Sequence, residues 1–263
     1  MQERVIPKLD MQKSVQKINS FIKEKLDESK SKGIIIGLSG GIDSSVVAYL
    51  CSDAIGSDKI LGLILPSKTT LNEDIEDAIS VAMDLDIEYK ILNIDYLIEP
   101  FPEMCPECSK SNLANGNLKA RMRMMLLYYH SNAMNRIVAG TGNRTELLVG
   151  YFTKYGDGGV DILPIGELYK TQVRDIAKYL RVPKKIIEKT PTAGLWTNQT
   201  DEDELGIKYE DLDKMLYLMM DKGLKVENIS KQLKISEDEV LRIKNMINNS
   251  KHKLSAPSIA EII

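Results

Sequence analysis

The chain has 263 residues, 43% of them hydrophobic, and a formal net charge of −3. This charge excludes a general electrostatic attraction to nucleic acid or anionic lipid, so we expect no nucleic-acid partner. No stretch reaches the apolar length of a membrane span, and the first ten residues are charged, unlike a signal peptide. These features predict a cytoplasmic protein without a membrane partner.

A single domain is predicted over residues 1–263, in three parts. Residues 1–32 contain one amphipathic helical pattern, which is typical of a helix that covers the edge of a core. Residues 33–190 alternate short apolar runs with helical patterns, and this alternation predicts an α/β core around a largely parallel sheet. Residues 191–263 carry helical patterns only and are expected to form a C-terminal helical extension.

Four strands are predicted in the core, because these segments are short, apolar and rich in β-branched residues: 34–38, 60–65, 89–94 and 137–139. A helix capped by Asn72 is expected after the second strand, and another over residues 118–128. In open parallel sheets, ligands bind beyond the carboxyl ends of the strands, near the point where the strand order reverses. The loops after the first and fourth strands are therefore the candidate binding loops.

The turn after the first strand has the sequence S-G-G-I-D-S-S, from Ser39 to Ser45. Glycines at a strand-to-helix turn let the backbone approach a ligand closely, and free N–H groups at the helix start attract an anion. The sequence has neither the G-x-x-x-x-G-K-[ST] pattern nor the dinucleotide-binding G-x-G-x-x-G pattern at this turn. The turn predicts a different kind of phosphate-binding loop, although a plain Gly/Ser turn with Asp43 as a capping residue is the alternative.

Asp43 lies inside this loop, where a carboxylate would repel a polyphosphate unless a divalent cation sat between them. Mg²⁺ is commonly held by one or two carboxylates together with phosphate oxygens, so the sequence predicts Mg²⁺ as a cofactor. A second glycine-rich turn, G-T-G-N-R-T-E, follows the fourth strand and ends at Glu146. Glu146 could reach the same metal from the first turn of its helix, and helix capping is its alternative role.

Further motifs follow in order: A-R-M-R-M from Ala120, Y-F-T-K-Y-G-D-G-G-V-D from Tyr151, and T-P-T-A-G-L-W from Thr190. Together with the two glycine-rich turns, they make the chain resemble the ammonia-dependent NAD⁺ synthetases, which belong to the N-type ATP pyrophosphatase (PP-loop) family. The resemblance runs from about Gly33 to the C-terminus. It implies an α/β fold with a doubly wound, largely parallel sheet flanked by helices, of the adenine-nucleotide hydrolase type, with a C-terminal helical layer.

The resemblance also implies a carbon–nitrogen ligase that converts deamido-NAD⁺ to NAD⁺ with ATP and free ammonia, through an adenylated intermediate, releasing AMP and pyrophosphate. Its partners would be these small molecules and a second copy of the chain in a homodimer. Glutamine-dependent members carry an additional amidase domain, for which the 32 residues before Gly33 leave no room. Free ammonia, or an amidase on a separate chain, is therefore the expected nitrogen source.

The same resemblance implies roles for individual residues, with Asp43 and Lys170 as catalytic residues and Asp43 and Glu146 as metal ligands. ATP would be bound by Gly37, Leu38, Ser39, Gly40, Gly41, Ile42, Asp43, Ser44, Thr141, Lys170 and Thr192. Deamido-NAD⁺ would be bound by Arg121, Lys154, Asp161, His252 and Lys253. No residue stands out as a general base for ammonia, and Asp157 is a candidate by proximity alone.

Other interpretations stay open at this point. Cys105 and Cys108 form a lone C-x-x-C, which favours free surface thiols in a reducing compartment over metal or redox chemistry. The rival functions are another PP-loop adenylating enzyme, such as a tRNA thiolase that uses these cysteines, and a non-catalytic nucleotide-binding protein. The acidic run at 201–204 is typical of a solvated helix start, and residues 152–161 predict a mobile loop.

Overall fold

The computed structural model describes residues 5–196 and 199–262. Its centre is a parallel sheet of four strands in the order β3-β2-β1-β4. The strands are β1 (Ile34–Gly37), β2 (Ile60–Ile64), β3 (Glu88–Ile91) and β4 (Ile137–Ala139). All four predicted strands are therefore confirmed, and β3 ends three residues before its predicted limit. The strand order reverses between β1 and β4, so the loops that follow these two strands meet at the switch point.

The helices of the first half begin with α1 (Met11–Ser29), which covers the predicted N-terminal amphipathic segment. They continue with α2 (Ile42–Ile55), α3 (Asn72–Asp84), α4 (Asp95–Ile98), α5 (Phe101–Met104) and α6 (Asn112–Met134). Asn72 is the first residue of α3 and not its cap, since Leu71 occupies that position without a side-chain hydrogen bond. Helix α6 is longer than predicted, because Ser111 caps it by accepting a hydrogen bond from the Ala114 N–H.

The helices of the second half are α7 (Arg144–Val149), α8 (Lys170–Tyr179), α9 (Lys184–Glu188), α10 (Asp201–Leu205), α11 (Tyr209–Leu216), α12 (Val226–Leu233) and α13 (Glu237–Ser250). A π-helical turn over Tyr217–Asp221 extends α11, and a 3-10 turn over Lys251–Lys253 follows α13. In the part of the chain that the structure describes, no helix combines the length and the apolar character needed to cross a membrane.

The core lies on both faces of the sheet, because side chains of a strand alternate between the faces. Ile34 and Ile36 pack with α1, α2 and α8 on one face. Ile35 points to the other face, where α6 supplies Leu126 and Leu127. The sheet is thus covered by helices on both sides, as the predicted doubly wound fold requires.

The C-terminal helices pack around a second apolar cluster of their own. Ile229 of α12, Ile243 of α13 and Leu212 of α11 are fully buried in it. Helices α7 and α8 contact this cluster through α11 and α13, so the C-terminal layer is attached at the end of the sheet where the switch-point loops lie.

Candidate active site

The phosphate loop of the sequence runs from β1 into α2 and is closed by serine hydroxyls. The backbone N–H of Ser39 donates to Ser44 Oγ at 3.3 Å, and the N–H of Gly41 donates to Ser39 Oγ at 3.3 Å. The Ser44 and Ser45 hydroxyls both donate to the Gly41 carbonyl, at 3.0 and 2.8 Å. The loop is therefore preformed, with its N–H groups held by short polar side chains.

Gly40 is required by the shape of this loop. Its φ is +76°, in the left-handed region that favours glycine, and a Cβ there would lie 2.1 Å from the carbonyl oxygen of Asp74. The start of α3 therefore packs directly on the loop. Leu38 and Ile42 flank the glycines but are buried, with 3% and 6% of their surface exposed, so only their backbone can reach a ligand.

Asp43, Glu146 and Lys170 converge from three different elements. Lys170, the first residue of α8, is 2% exposed, and its Nζ forms ion pairs with the Asp43 carboxylate and, at 3.2 Å, with Glu146. Asp43 lies at the start of α2 and Glu146 in the first turn of α7. The structure therefore confirms the prediction that the two glycine-rich loops meet, since Lys170 pairs with a carboxyl group from the end of each loop.

The charges of this cluster are strongly coupled. Burial raises the pKa of the Glu146 carboxyl to about 8, and the nearby Asp43 charge acts in the same direction, although Lys170 opposes both. Burial works to lower the pKa of Lys170, but the two carboxylates outweigh it and raise that pKa. Lys170 is therefore charged at neutral pH, and its ammonium group contacts both Asp43 and Glu146.

Asn143, which was not among the predicted site residues, joins the two loops. It is fully buried, and it is the cap of α7 in a capping box with Glu146. Its Nδ2 donates to Asp43 Oδ1 at 3.1 Å. The N-x-x-E spacing within G-T-G-N-R-T-E was a usable signal for the capping box, but the contact with Asp43 spans 100 positions and has no local signature.

A second layer of polar residues, also missed, fixes the position of Lys170. Its backbone N–H donates to Thr145 Oγ1 at 3.0 Å, and Thr145 in turn donates to Asp213 Oδ1 at 2.5 Å. The other oxygen of Asp213 accepts the Thr171 N–H at 2.8 Å. The Tyr209 ring lies 5.1 Å from Lys170 Nζ, a cation–π distance. The backbone of Lys170 is thus fixed by Thr145, and its ammonium group is contacted by the Tyr209 ring.

The prediction that Asp201 belongs to a solvated helix start was wrong. Asp201 is 5% exposed, and its carboxylate accepts hydrogen bonds from the hydroxyls of Tyr209 at 3.0 Å and Tyr151 at 3.1 Å. Asp203 and Glu204 are exposed as predicted. The acidic run therefore divides: Asp201 is buried and accepts the Tyr209 hydroxyl behind Lys170, whereas Glu204 stays exposed although it also accepts the Tyr151 hydroxyl, at 2.5 Å.

The residues expected at the deamido-NAD⁺ site lie together along one path. The Arg121 guanidinium donates to the Lys154 carbonyl at 3.3 Å, and Lys154 Nζ donates to the His252 carbonyl at 2.5 Å. Lys253 Nζ donates to the carbonyls of Gly150 and Phe152, at 2.6 and 2.8 Å. Three of the four basic side chains are therefore engaged by backbone oxygens near one loop.

Asp161 is the last residue of the predicted 152–161 loop, and both of its carboxylate oxygens accept a hydrogen bond. Tyr128 of α6 donates to one at 2.9 Å, and the Val138 N–H donates to the other at 2.7 Å. Asp157 accepts the Thr153 N–H at 2.9 Å. The loop that the sequence predicted to be mobile is thus closed by turns and side-chain bonds.

Thr141 and Thr192, the two threonines expected to contact ATP, lie in two different loops. Thr141 is half-buried in the loop between β4 and α7. Thr192 is exposed and accepts the Gly194 N–H at 3.1 Å. Lys119 of α6 donates to the Leu195 carbonyl at 2.8 Å, so the segment of Thr192 is anchored to the helix that carries Arg121.

The preference for free thiols at Cys105 and Cys108 is also corrected, because the two residues form a disulfide. The turn between α5 and α6 brings their Cα atoms to 5.4 Å, inside the range that a disulfide needs. Arg123, the second arginine of the A-R-M-R-M motif, donates from Nε to the Leu65 carbonyl at 3.0 Å and serves the fold.

Comparison with known proteins decides the family. The NAD synthase family model matches residues 14–257. The chain belongs to the NAD synthase family. The NH(3)-dependent NAD(+) synthetase of Archaeoglobus fulgidus is 48% identical over 255 residues, which cover 97% of this chain and 98% of that protein.

Two solved structures resemble this fold closely. The NH3-dependent NAD synthetase from Campylobacter jejuni matches with a TM-score of 0.82 and 32% identity, over 97% of this chain and 100% of that one. The NMN synthetase from Francisella tularensis matches with a TM-score of 0.86 and 37% identity, over the same shares of the two chains. The chain therefore resembles proteins that are named for two different products.

Proposed function

We propose that this protein is an ammonia-dependent NAD⁺ synthetase, a ligase that amidates deamido-NAD⁺ and converts ATP to AMP and pyrophosphate. The observation that carries the proposal is the buried Lys170, which pairs with Asp43 beside a preformed phosphate loop and with Glu146 on the neighbouring strand's loop. Membership of the NAD synthase family and near-full-length similarity to NH(3)-dependent NAD(+) synthetases support the same activity. A cytoplasmic location is part of this proposal, since ATP is the co-substrate.

The loop around Gly40 and Gly41 would bind the pyrophosphate end of ATP. The Ser39 and Gly41 N–H groups are held by serine hydroxyls, which a phosphate oxygen can replace as acceptor. Backbone atoms of Gly37, Leu38 and Ile42, with the side chains of Ser44, Thr141 and Thr192, would complete the site. This arrangement supplies donors without moving the chain, so its electrostatic stabilisation is preorganised.

The residues around Lys170 fit a divalent cation. Asp43 and Glu146 offer hard oxygen donors and share one buried ammonium group, so a divalent cation between them would favour the ionised form of both carboxyl groups. We assign Mg²⁺ to this pair. When bound, Mg²⁺ would neutralise charge on the phosphate oxygens of ATP.

The chemistry requires activation because ammonia cannot expel an oxide from a carboxylate. One carboxylate oxygen of the nicotinate attacks the α-phosphorus of ATP, the bond to the bridging oxygen breaks, and pyrophosphate leaves with that electron pair. Lys170 is positioned to stabilise the charge that grows on the phosphates. Ammonia then attacks the activated carbonyl carbon, AMP leaves with the original carboxylate oxygen, and a proton is lost from nitrogen.

Deamido-NAD⁺ would bind along the path of Arg121, Lys154, His252 and Lys253, with Asp161 at its far end. The three cationic side chains now donate mainly to backbone carbonyls, and a dinucleotide's phosphates are stronger acceptors for the same groups. Arg121 and Tyr128, the partner of Asp161, lie on the same helix. This path therefore offers the positive charge that the phosphates of a dinucleotide need.

A homodimer would cover an exposed apolar face on α4 and α6. Tyr96 of α4 is 79% exposed, and Met125 and Tyr129 of α6 are 49% and 72% exposed. Met125 and Tyr129 are four residues apart, so they share one face of α6, and α4 packs beside that helix. We propose a second copy of this chain as the occupant, in a two-fold symmetric interface.

The chain is further proposed to fold as one domain over residues 1–263, with residues 1–32, 33–190 and 191–263 as its parts. The support is the sharing of α7 and α8. Helix α8 contacts α2 in the core and α11 in the C-terminal layer, and α7 contacts both α11 and α13. Lys170 and Glu146 lie on these shared helices, so the active site needs both parts.

A second candidate product is NMN, because the NMN synthetase from Francisella tularensis is 37% identical to this chain. The two activities differ in the acceptor and not in the phosphate chemistry. Identities near 48% to NH(3)-dependent NAD(+) synthetases favour the dinucleotide.

One assay decides among these functions. Purified protein with ATP and Mg²⁺ is offered deamido-NAD⁺ or nicotinate mononucleotide, each with ammonium or glutamine, and AMP and the amide product are quantified. Equal amounts of AMP and NAD⁺ from deamido-NAD⁺ with ammonium are expected. NMN formed faster than NAD⁺ would make the mononucleotide the substrate. AMP without either amide would favour another adenylating activity, such as tRNA thiolation, and absence of AMP would favour a non-catalytic nucleotide-binding protein.

A further inference from the structure

The disulfide between Cys105 and Cys108 closes a surface turn between α5 and α6. Cys108 is exposed and Cys105 half-buried, so another thiol can reach the bond from solvent. Cys51, the remaining cysteine of the sequence, is fully buried in the core. The accessible thiol chemistry of the chain is therefore concentrated in this turn.

The turn is joined to the start of α6 by hydrogen bonds. Asn115 Nδ2 donates to the Ser109 carbonyl at 2.7 Å, and Ser109 Oγ donates to the Pro106 carbonyl at 2.8 Å. Ser111 caps the helix through the Ala114 N–H at 3.2 Å. The geometry of the disulfide turn is thus transmitted to the first turn of α6.

Arg121 of the same helix lines one cavity with the disulfide. The cavity has a volume of about 240 Å³, and its walls include Phe101, Cys105, Cys108, Leu118 and Arg121. Opening the disulfide would free the part of the cavity wall that Cys105 and Cys108 form. The Arg121 guanidinium, which donates to the Lys154 carbonyl, would then line a cavity with a less constrained wall.

We propose that Cys105–Cys108 is a redox modification site that exchanges with a dithiol of the thioredoxin class, and that its disulfide form favours deamido-NAD⁺ binding at Arg121. The first part stands on the pair itself. The second part rests on the proposed function, which assigns Arg121 to the dinucleotide.

The exchange balances with that dithiol as the reductant. Its thiolate attacks Cys108 Sγ, the exposed sulfur, the Cys105–Cys108 bond breaks, and Cys105 leaves with the electron pair and takes up a proton. The second thiol of the reductant then attacks the mixed disulfide and releases Cys108 as a thiol. Two electrons and two protons pass to this protein, and the reductant becomes a disulfide. Glu107 Oε1, 3.2 Å from Cys105 Sγ, can accept a hydrogen bond from the new thiol.

Coupling between two sites is reciprocal, so two equilibria must shift by the same factor. If the disulfide form binds deamido-NAD⁺ about fivefold more tightly, deamido-NAD⁺ must favour the disulfide over the dithiol about fivefold. The dissociation constant and the redox equilibrium are therefore two independent measurements of the same coupling free energy.

To measure the redox equilibrium, the full-length protein is incubated in mixtures of reduced and oxidised dithiothreitol. Its thiols are then trapped with an alkylating reagent under native conditions, and the mass of the product is measured by mass spectrometry. Two alkyl groups after reduction and none after oxidation are expected, with Cys51→Ala behaving as wild type. A double variant Cys105→Ser/Cys108→Ser should take up none. Two accessible thiols in every mixture, or stoichiometric zinc that prevents disulfide formation, would overturn the proposal.

Binding of deamido-NAD⁺ is then measured by calorimetry for both redox forms. We expect a dissociation constant about fivefold higher after reduction, a matching shift of the redox equilibrium by the ligand, and no redox response in the double serine variant. Equal dissociation constants would refute the link to Arg121. Absence of binding in both forms would refute deamido-NAD⁺ as the ligand and with it that link, while the alkylation result judges the redox site separately.

Discussion

The side-chain amide of Asn143 donates a hydrogen bond of 3.1 Å to the carboxylate of Asp43. The oxygen of the same amide accepts the Glu146 N–H at 3.1 Å. One buried, uncharged residue thus fixes the distance between the two acidic residues of the site, which lie at the starts of α2 and α7. Because the contact is neutral, it orients Asp43 without compensating its charge, which leaves that charge available for Lys170 and a metal ion.

Replacing Asp43 tests the proposed metal and phosphate site. Asp43→Ala should lower the turnover of NAD⁺ formation by about 10²–10³-fold, the scale for removing one preorganised charge-stabilising group. It should also raise the Mg²⁺ concentration required for half-maximal activity. Both are measured by steady-state assays of AMP and NAD⁺ over a Mg²⁺ titration.

Asp53→Ala is the matched control, because Asp53 lies on the same helix α2 but is exposed and accepts a hydrogen bond from the Asn19 amide at 2.6 Å. It should retain wild-type turnover and Mg²⁺ dependence. An Asp43→Ala enzyme with an unchanged Mg²⁺ requirement would remove Asp43 from the metal site. Thermal unfolding of both variants separates a lost ligand from a lost fold.

Gly40→Ala should damage the phosphate loop by steric collision. The added Cβ would meet the Asp74 carbonyl oxygen at 2.1 Å, in addition to the strain of a positive φ. We expect ATP affinity to fall and the free energy of unfolding to drop by more than the ~1–2 kcal/mol of left-handed strain. Equilibrium denaturation and ATP titration measure the two effects.

Gly223→Ala separates the two causes. Gly223 has a φ of +63°, but a Cβ there meets nothing within 4 Å, so only the strain applies. It should cost about 1–2 kcal/mol of stability and leave ATP binding intact. If Gly40→Ala were no worse than Gly223→Ala, the contact of α3 with the loop would not matter.

The strands and the two glycine-rich loops were predictable because their signals are local. An apolar run such as residues 34–36, followed by glycines and serines, specifies a buried strand and a tight turn without knowledge of distant residues. The parallel order of the sheet then places Asp43 and Glu146 at one edge. The prediction that both contact one site needed only this topology.

The supporting residues were not predictable for the opposite reason. The Tyr209 ring of α11 lies over the Lys170 ammonium group, and Asp201 of α10 accepts the Tyr209 hydroxyl. In the sequence, Asp201 looked like a solvated charge in its acidic run. Their burial depends on how the C-terminal layer packs onto α8, which no short window of sequence contains. The disulfide of Cys105 and Cys108 likewise depends on the turn that their segment adopts.

Tyr129→Glu should dissociate the proposed homodimer. A carboxylate in the middle of an apolar face would be buried without a partner, which opposes association. Light scattering on a sizing column should give twice the chain mass of 29.5 kDa for wild type and the chain mass for the variant. Tyr179→Glu, at a tyrosine 47% exposed on α8, is the control and should remain dimeric. A monomeric wild type would end the proposal.

Lys189→Met should destabilise the protein through Asp77 of α3. Asp77 is 1% exposed, and Lys189 Nζ contacts it at 2.7 Å, with Lys185 at 2.6 Å on the other oxygen. Removing one partner of a buried pair leaves an undercompensated charge, at a cost of about 3 kcal/mol, the lower end for such pairs because Lys185 remains. Denaturant unfolding at pH 7 measures the loss.

The loss should depend on pH in a defined direction. Burial alone would raise the pKa of Asp77, but hydrogen bonds from Lys185 and Lys189 outweigh it and lower that pKa from 3.8. The stabilisation is therefore present above pH 3.8 and lost as the pH falls through the lowered folded-state value. The difference between wild type and Lys189→Met should be largest near neutrality and shrink in acid.

Lys184→Met is the comparison, because Lys184 pairs with Glu188 while both side chains are mostly exposed, at 84% and 64%. Exposed pairs contribute roughly 0–1 kcal/mol, so this variant should unfold almost as wild type does. Equal losses for the two variants would mean that the burial of Asp77 adds nothing.

Lys189 also links two of the proposed ATP-binding elements. It lies just before the segment of Thr192, and its second partner, Asp74, packs against Gly40 of the phosphate loop. Lys189→Met should therefore also weaken ATP binding, and Lys184→Met should not.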